Sequence, residues 1–157
     1  MGAAYRIQDE PRPGVLGHLV VNPVFPLLSL MMAGTWLGVS WFIFNGFALG
    51  SATRRKELGL ALLVVPGTLL LMLGMGLLEQ RGVLTKRAMP YAGVSLIVWR
   101  MALGYVLFNL QQRGFALHAY YGGKVRNGVP ALMAGILLGL FLAKRVGDSA
   151  LLWALLW

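Results

Sequence analysis

Residues 95–110 read SLIVWRMALGYVLFNL, an apolar run with an arginine, Arg100, close to its middle. The run belongs to a longer apolar stretch, residues 91–110, which as a helix is long enough to cross a hydrocarbon core of about 30 Å. Its nine Leu, Ile, Val and Phe side chains favour insertion by roughly 3 to 5 kcal/mol, against a cost of about 3 kcal/mol for one central arginine. The stretch is therefore predicted to insert as a membrane span in spite of its charge.

Three further apolar runs extend this prediction to residues 25–50, 58–78 and 129–143. Prolines at positions 23 and 26 suit the entry of the first of these helices. The last run is short for a span, and the apolar residues 144–157 are expected to lie as an interfacial tail or to continue it. The fold class predicted is an all-α integral membrane protein, a bundle of four transmembrane helices with short loops and an interfacial apolar C-terminal segment.

The composition of the whole chain agrees with this fold class. Of 157 residues, 58% are hydrophobic and 12% charged, and the mean hydropathy is +0.71, which is far from the average of soluble domains. We expect a polar N-terminal segment, residues 1–22, followed by a single transmembrane domain, residues 23–157. The chain is thus predicted to be a multi-pass protein of a membrane, most simply the bacterial inner membrane.

The charge of +9 sits mostly at the ends of the apolar runs, which is typical of anchoring against anionic lipid headgroups and not of nucleic-acid binding. With four spans, six Lys and Arg side chains fall on one side and seven on the other. These counts leave the orientation open. The cluster Arg54-Arg55-Lys56 after the first run favours both termini outside.

Arg100 needs a partner, because a charge inside a membrane normally faces the bundle interior, a wet cavity or another chain. The four predicted spans contain no Asp or Glu. Neutral acceptors remain, together with a lipid phosphate, another subunit or a transported anion. The neutral acceptors are helix carbonyls and the side chains of Asn45, Asn109, Thr35, Ser40, Ser95 and Thr68. An equally good explanation is that Arg100 snorkels to a headgroup.

Small residues recur at multiples of four positions in two of the runs, with a gap in the first run and without one in the last, and this spacing places them on one helix face. They are Gly34, Gly38, Gly46 and Gly50 in the first run, and Ala131, Gly135, Gly139 and Ala143 in the last. Such faces let helix backbones approach closely. They are predicted to pack either within this chain's own bundle or against a neighbouring subunit.

The interval from Gln111 to Gly128 is expected to be a loop, since it is polar and contains Gly-Gly and Asn-Gly turn signals. It carries His118, Tyr120, Tyr121, Lys124 and Arg126. These side chains are predicted either to bind an anionic headgroup or another anion, or to form an ordinary interfacial belt of aromatic and basic residues.

The chain contains few residues of the types that catalyse reactions or bind metals. His18 and His118 are the only histidines and are expected near opposite ends of the topology, there is no cysteine, and the five acids are scattered. We predict no catalytic site, no metal and no cofactor. The leading hypothesis is a non-enzymatic accessory, assembly or scaffold subunit that packs against other membrane subunits or against itself. The alternative is a small oligomeric transporter or channel for an anion or polar solute, with Arg100 within the membrane.

Overall fold

The computed structural model describes residues 14–85 and 87–146, and this part of the chain is helical. A short 3-10 helix, Val15–Leu19, precedes five α-helices; these are α1 (Val24–Met32), α2 (Thr35–Leu49), α3 (Arg54–Gln80), α4 (Met89–Tyr120) and α5 (Val129–Val146). The predicted all-α class is confirmed for these residues.

The prediction of one continuous helix over residues 25–50 is wrong, because the chain breaks between α1 and α2. Gly34 has a φ of 101°, a backbone conformation that glycine adopts far more readily than any other residue. The N–H groups of Ala33 and Gly34 both donate to the carbonyl of Ser29, at 2.8 and 3.0 Å. These bonds close the last turn of α1, and the glycine lets the chain leave the helix axis.

Helices α1 and α2 form an antiparallel hairpin. The rings of Phe25 and Trp41 stack with their centroids 6.4 Å apart, and a Cβ added at Gly38 would lie 2.5 Å from the Cα of Leu30. Both pairs are centred on the break at Ala33 and Gly34, so the chain folds back on itself there. At 9 and 15 residues, α1 and α2 are about 13 and 22 Å long and neither spans a hydrocarbon core of about 30 Å.

Helices α3 and α4 are the two helices in the described residues that are long and apolar enough to cross a membrane. In the most apolar 18 residues of each, only 22% of α3 and 17% of α4 are buried. A central helix of a soluble protein would instead cover most of its apolar side chains. Two candidate spans are therefore present where the sequence predicted four.

The remaining boundaries also differ from the predictions. Helix α3 begins four residues before and ends two residues after the predicted range 58–78, and α4 begins two residues before residue 91. Helix α4 continues ten residues past the predicted end at residue 110, because the single Gly114 is tolerated within a helix and the paired glycines come only at Gly122 and Gly123. His118 and Tyr120 thus belong to a helix and not to a loop. Helix α5 ends at Val146, three residues beyond the prediction, while residues 147–157 of the predicted tail lie outside the described residues, as do residues 1–13.

The core lies where α2, α3 and α4 meet. Phe42, Ala61 and Leu107 are buried together there, one from each helix. A second cluster, formed by Val20, Ala48 and Leu49, joins the N-terminal segment to the end of α2. The polar side chains described next lie between and beside these two apolar clusters.

Candidate functional site

The inward face of α4 carries three polar residues in one line. Arg100, Gln111 and His118 are all buried, and spacings of eleven and seven residues bring each within about 20° of the next around a helix. They are spaced along the axis by about 16 and 10 Å. Leu103, Gly104 and Leu107 are also buried on this face and separate Arg100 from Gln111.

Gln111 lies at the centre of a buried hydrogen-bond network. Its Nε2 donates to the carbonyl of Phe42 at 2.6 Å and to Oε2 of Glu57 at 3.0 Å. Its Oε1 accepts from Nδ2 of Asn45 at 3.1 Å, and Oδ1 of Asn45 accepts from the N–H of Val21 at 3.0 Å. Because a backbone N–H only donates and a carbonyl only accepts, the two ends of this chain fix the orientation of both amides.

Glu57 is the most unusual member of the network, because its carboxylate is only 2% exposed. Its Oε1 accepts from Oγ of Ser51 at 2.5 Å and from Oγ1 of Thr53 at 2.7 Å. Together with Gln111, three uncharged donors therefore hold the carboxylate. Glu57 also lies in the first turn of α3, where the helix dipole favours a negative charge. Hydrogen bonds and this dipole offset part of the cost of burial.

The turn between α2 and α3 places these hydroxyls. Gly50 ends α2 in the left-handed conformation, with φ of 61°, and the N–H of Ser51 bonds back to the carbonyl of Gly46 at 3.2 Å. Gly46 also allows α2 to approach the network. A Cβ added there would lie 2.5 Å from Oε2 of Glu57 and 3.1 Å from Nε2 of Gln111, so a larger residue would displace these side chains.

A cavity of about 430 Å³ adjoins the network, between the α2–α3 turn and the second half of α4. Ser51 and Thr53 line this cavity and also bond to Glu57. Arg113 lines it from α4. The arrangement thus combines a cationic group, two hydroxyls and, directly behind them, a buried carboxylate. We call this cavity and network the Glu57 site.

Arg100 is only 9% exposed and bonds to neutral groups within its own chain. Its Nε donates to the carbonyl of Leu96, and its Nη1 donates to Oγ1 of Thr35, both at 3.2 Å. Thr35 is the first residue of α2. Arg100 therefore points to the tip of the α1–α2 hairpin, about 16 Å along α4 from Gln111.

The structure does not bring the three predicted polar residues together. Asn45 belongs to the Glu57 site and not to Arg100. Asn109 is exposed, and its Nδ2 donates to the carbonyl of Tyr105 on its own helix, at 2.8 Å. Asn109 follows Arg100 by nine residues, which places it on the opposite face of α4. Thr35, another of the predicted acceptors, lies beside Arg100 in place of Asn45.

The prediction that the four glycines of the first run share one helix face is also wrong. Gly34 and Gly50 cap the two ends of α2, and only Gly38 and Gly46 lie within it. Gly38 packs against Leu30 of α1. Gly38 therefore packs against this chain's own α1 and not against a neighbouring subunit.

On α5, the predicted small-residue face is divided between the bundle and the surface. Gly135 packs against Leu37 of α2, and Gly139 is also buried. Ala131 is exposed and Ala143 is half-buried. Gly135 therefore lets α5 approach the α1–α2 hairpin closely.

A second cavity, of about 320 Å³ and widely open to the surface, lies at the end of α4, and its lining includes His18, His118 and Lys124. The expectation that the two histidines lie at opposite ends is wrong, because the N-terminal segment pairs with the loop after α4. The N–H of Arg126 donates to the carbonyl of Val20 at 2.7 Å. Tyr120 and Tyr121 are exposed nearby, with their ring centroids 5.4 Å apart.

Sequence reasoning missed Glu57, Gln111, Ser51 and Thr53 as members of a site. Gln111 was detectable, since it lies eleven residues after Arg100 and thus on the same helix face. Glu57 was not, because it belongs to a polar segment that the hydropathy pattern marks only as a connection between spans.

Comparison with known protein families, with curated proteins and with solved structures found no match to this chain. Within residues 14–85 and 87–146, no three His, Cys, Asp or Glu side chains are grouped as metal ligands.

Proposed function

We propose that the chain is a small multi-pass membrane protein that transports an anion or polar solute, as a transporter or channel, with the Glu57 site as its solute-binding region. The observation that carries this proposal is the buried carboxylate of Glu57 beside a cavity lined by Ser51, Thr53 and Arg113. Ionisable groups buried in membrane bundles are costly and are usually retained for function.

The α1–α2 hairpin supports the same proposal. Helices that enter a membrane and turn back are tolerated only where they are buried in protein or line a cavity, and broken helices are common at the binding sites of transporters. The tip of this hairpin receives a hydrogen bond from Arg100. The cluster of Phe42, Ala61 and Leu107 lies among the same helices as the Glu57 site, so a transport path along the polar face of α4 requires this cluster to open.

Two observations behind the scaffold hypothesis now have an explanation within the chain. Arg100 has a partner in Thr35, and the small residues Gly38 and Gly135 pack against Leu30 and Leu37. Neither feature therefore requires a foreign subunit. These two observations therefore no longer favour the scaffold hypothesis over the transport hypothesis.

The test is flux through proteoliposomes of the full-length protein, measured by light scattering after a shift to iso-osmotic chloride, nitrate, phosphate, urea or glycerol. We expect at least one solute to enter faster than into empty liposomes. Glu57→Gln should change that flux about tenfold or more, because it weakens the charge-assisted hydrogen bonds from Ser51, Thr53 and Gln111 that shape the wall of the cavity. Glu79→Gln is the matched control, since it removes an exposed acid at the other end of α3. Equal flux in both variants contradicts the role of the Glu57 site.

Arg100→Leu distinguishes the transport hypothesis from the scaffold hypothesis. If Arg100 acts in transport, the variant keeps its self-assembly in mild detergent while its flux changes. Arg81→Leu, an exposed arginine at the end of α3, is the control and should leave both properties unchanged.

The accessory-subunit function remains a second candidate because of one specific surface. A groove of about 380 Å³ runs along the second half of α3, lined by Leu69, Met72, Leu73 and Leu77. A partner helix from another membrane subunit would fit such a groove. The test is tagged purification followed by intact-complex mass measurement. A foreign chain in fixed ratio, lost on Arg100→Leu, would favour this candidate, and copies of this chain alone would exclude it.

A further inference from the structure

The cavity at the end of α4 is built from three separate segments that the backbone holds together. His18 comes from the 3-10 helix, His118 from the last turn of α4, and Lys124 from the loop that follows. The N–H of Arg126 donates to the carbonyl of Val20, and Nε of Arg126 donates to the carbonyl of His18 at 3.4 Å. The walls of the cavity are therefore fixed by contacts distant in sequence.

The loop is folded closely around His118. Gly122 has a φ of 75°, and the N–H of Gly123 donates to the carbonyl of His118 at 2.9 Å. A Cβ added at Gly123 would overlap the His118 ring. The Gly-Gly pair thus allows Lys124 to lie beside a histidine that is only 6% exposed.

Backbone carbonyls anchor one nitrogen of each histidine ring. Nδ1 of His18 donates to the carbonyl of Val15 at 2.7 Å, and Nε2 of His118 donates to the carbonyl of Lys124 at 3.3 Å. The second nitrogen of each ring is not used in these bonds. Both rings are held in place, as preorganised binding groups require.

The charge around the cavity favours an anion. Lys124 contributes an ammonium group to the lining. The guanidinium group of Arg126 donates to the backbone carbonyl of His18, another lining residue. Among the described residues that line the cavity, none is acidic. A metal cation would be repelled by Lys124, whereas a phosphate group offers several acceptor oxygens to its ammonium group.

We propose that His18, His118 and Lys124 form a binding site for a phosphate group, carried either by an anionic lipid headgroup or by free phosphate. The site shares no residue with the Glu57 site and does not depend on the transport proposal. Tyr120 and Tyr121 are exposed next to it, and aromatic side chains of this kind are enriched at the headgroup level of membranes.

The experiment uses full-length protein purified in phosphate-free buffer and detergent. Binding of inorganic phosphate is measured by calorimetric titration, and retention of phosphatidylglycerol against phosphatidylcholine by native mass spectrometry. The variants are Lys124→Gln and His18→Gln. Lys124→Gln preserves the backbone carbonyl that anchors His118, so the loop keeps its fold. Lys144→Gln, a charge loss on exposed α5, is the matched control.

Lys124→Gln and His18→Gln are each expected to weaken binding about tenfold or more, while Lys144→Gln leaves it unchanged. Binding of inorganic phosphate in lipid-free detergent identifies free phosphate as a ligand. Selective retention of phosphatidylglycerol without phosphate binding identifies a headgroup site. The proposal is overturned if neither probe binds, or if both variants bind like the Lys144→Gln control.

Discussion

At the scale of single residues, Gln111 is the side chain that links three helices by hydrogen bonds. It bonds to Phe42 and Asn45 of α2 and to Glu57 of α3 from its position on α4. Gln111→Leu leaves three buried polar groups without this partner, each at a cost of about 1 to 3 kcal/mol. We therefore expect the free energy of unfolding to fall by about 3 kcal/mol or more.

The neighbouring residue provides the control for this prediction. Gln112 has an Oε1 that is buried without a hydrogen-bond partner among the described residues, so Gln112→Leu should change stability by less than about 1 kcal/mol or raise it. Reversible unfolding in mixed micelles measures both variants. Equal losses of stability would contradict the role assigned to the Gln111 network.

At the scale of helices, the close approach of α2 to α3 and α4 depends on Gly46. Gly46→Ala would push a methyl group against Glu57 and Gln111, and overpacking of this kind costs about 1 to 3 kcal/mol. Gly59→Ala on α3 is the matched control, because a Cβ there meets nothing within 4 Å. It should be neutral or stabilise the helix by about 0.5 to 1 kcal/mol. Thermal midpoints in detergent report the difference, and a stable Gly46→Ala variant would exclude tight packing at this point.

The length and hydropathy of the apolar runs explain which of these helices can be predicted from the sequence. The apolar runs locate α3, α4 and α5 to within a few residues at most ends, since length and hydropathy suffice for a long helix. The extension of α4 to Tyr120 was missed because its polar last turns resemble a loop by composition. The hairpin was missed because residues on both sides of Gly34 are equally apolar, and only the φ of that glycine marks the turn.

At the scale of the whole molecule, the hairpin reverses the topology expected for the N-terminal end. A single helix over residues 25–50 would carry Val21 and Ser51 to opposite ends of the bundle. The N–H of Val21 instead bonds to Asn45, near the end of α2 that leads into Ser51, and Val21 pairs with Arg126. The N-terminal segment, the α2–α3 turn and the loop after α4 thus share one end.

This shared end also holds more of the positive charge. Among the described residues it carries six Lys and Arg side chains, namely Arg54, Arg55, Lys56, Arg113, Lys124 and Arg126. Four others, Arg81, Arg87, Lys144 and Arg145, lie in the α3–α4 connection or at the end of α5. For the proposed membrane protein, the positive-inside rule therefore predicts that the shared end faces the cytoplasm. The expectation of an N-terminus outside followed from a first span that the hairpin replaces.

Cysteine labelling tests this topology directly, because the chain has no cysteine of its own. Single variants Val15→Cys, Ala52→Cys and Val83→Cys place a thiol at exposed positions before α1, after α2 and after α3. A membrane-impermeant maleimide applied to intact cells with permeable outer envelopes should label Val83→Cys alone. Inverted vesicles should label Val15→Cys and Ala52→Cys. If Val15→Cys is labelled together with Val83→Cys and apart from Ala52→Cys, residues 24–50 cross the membrane once and the hairpin is not the membrane form.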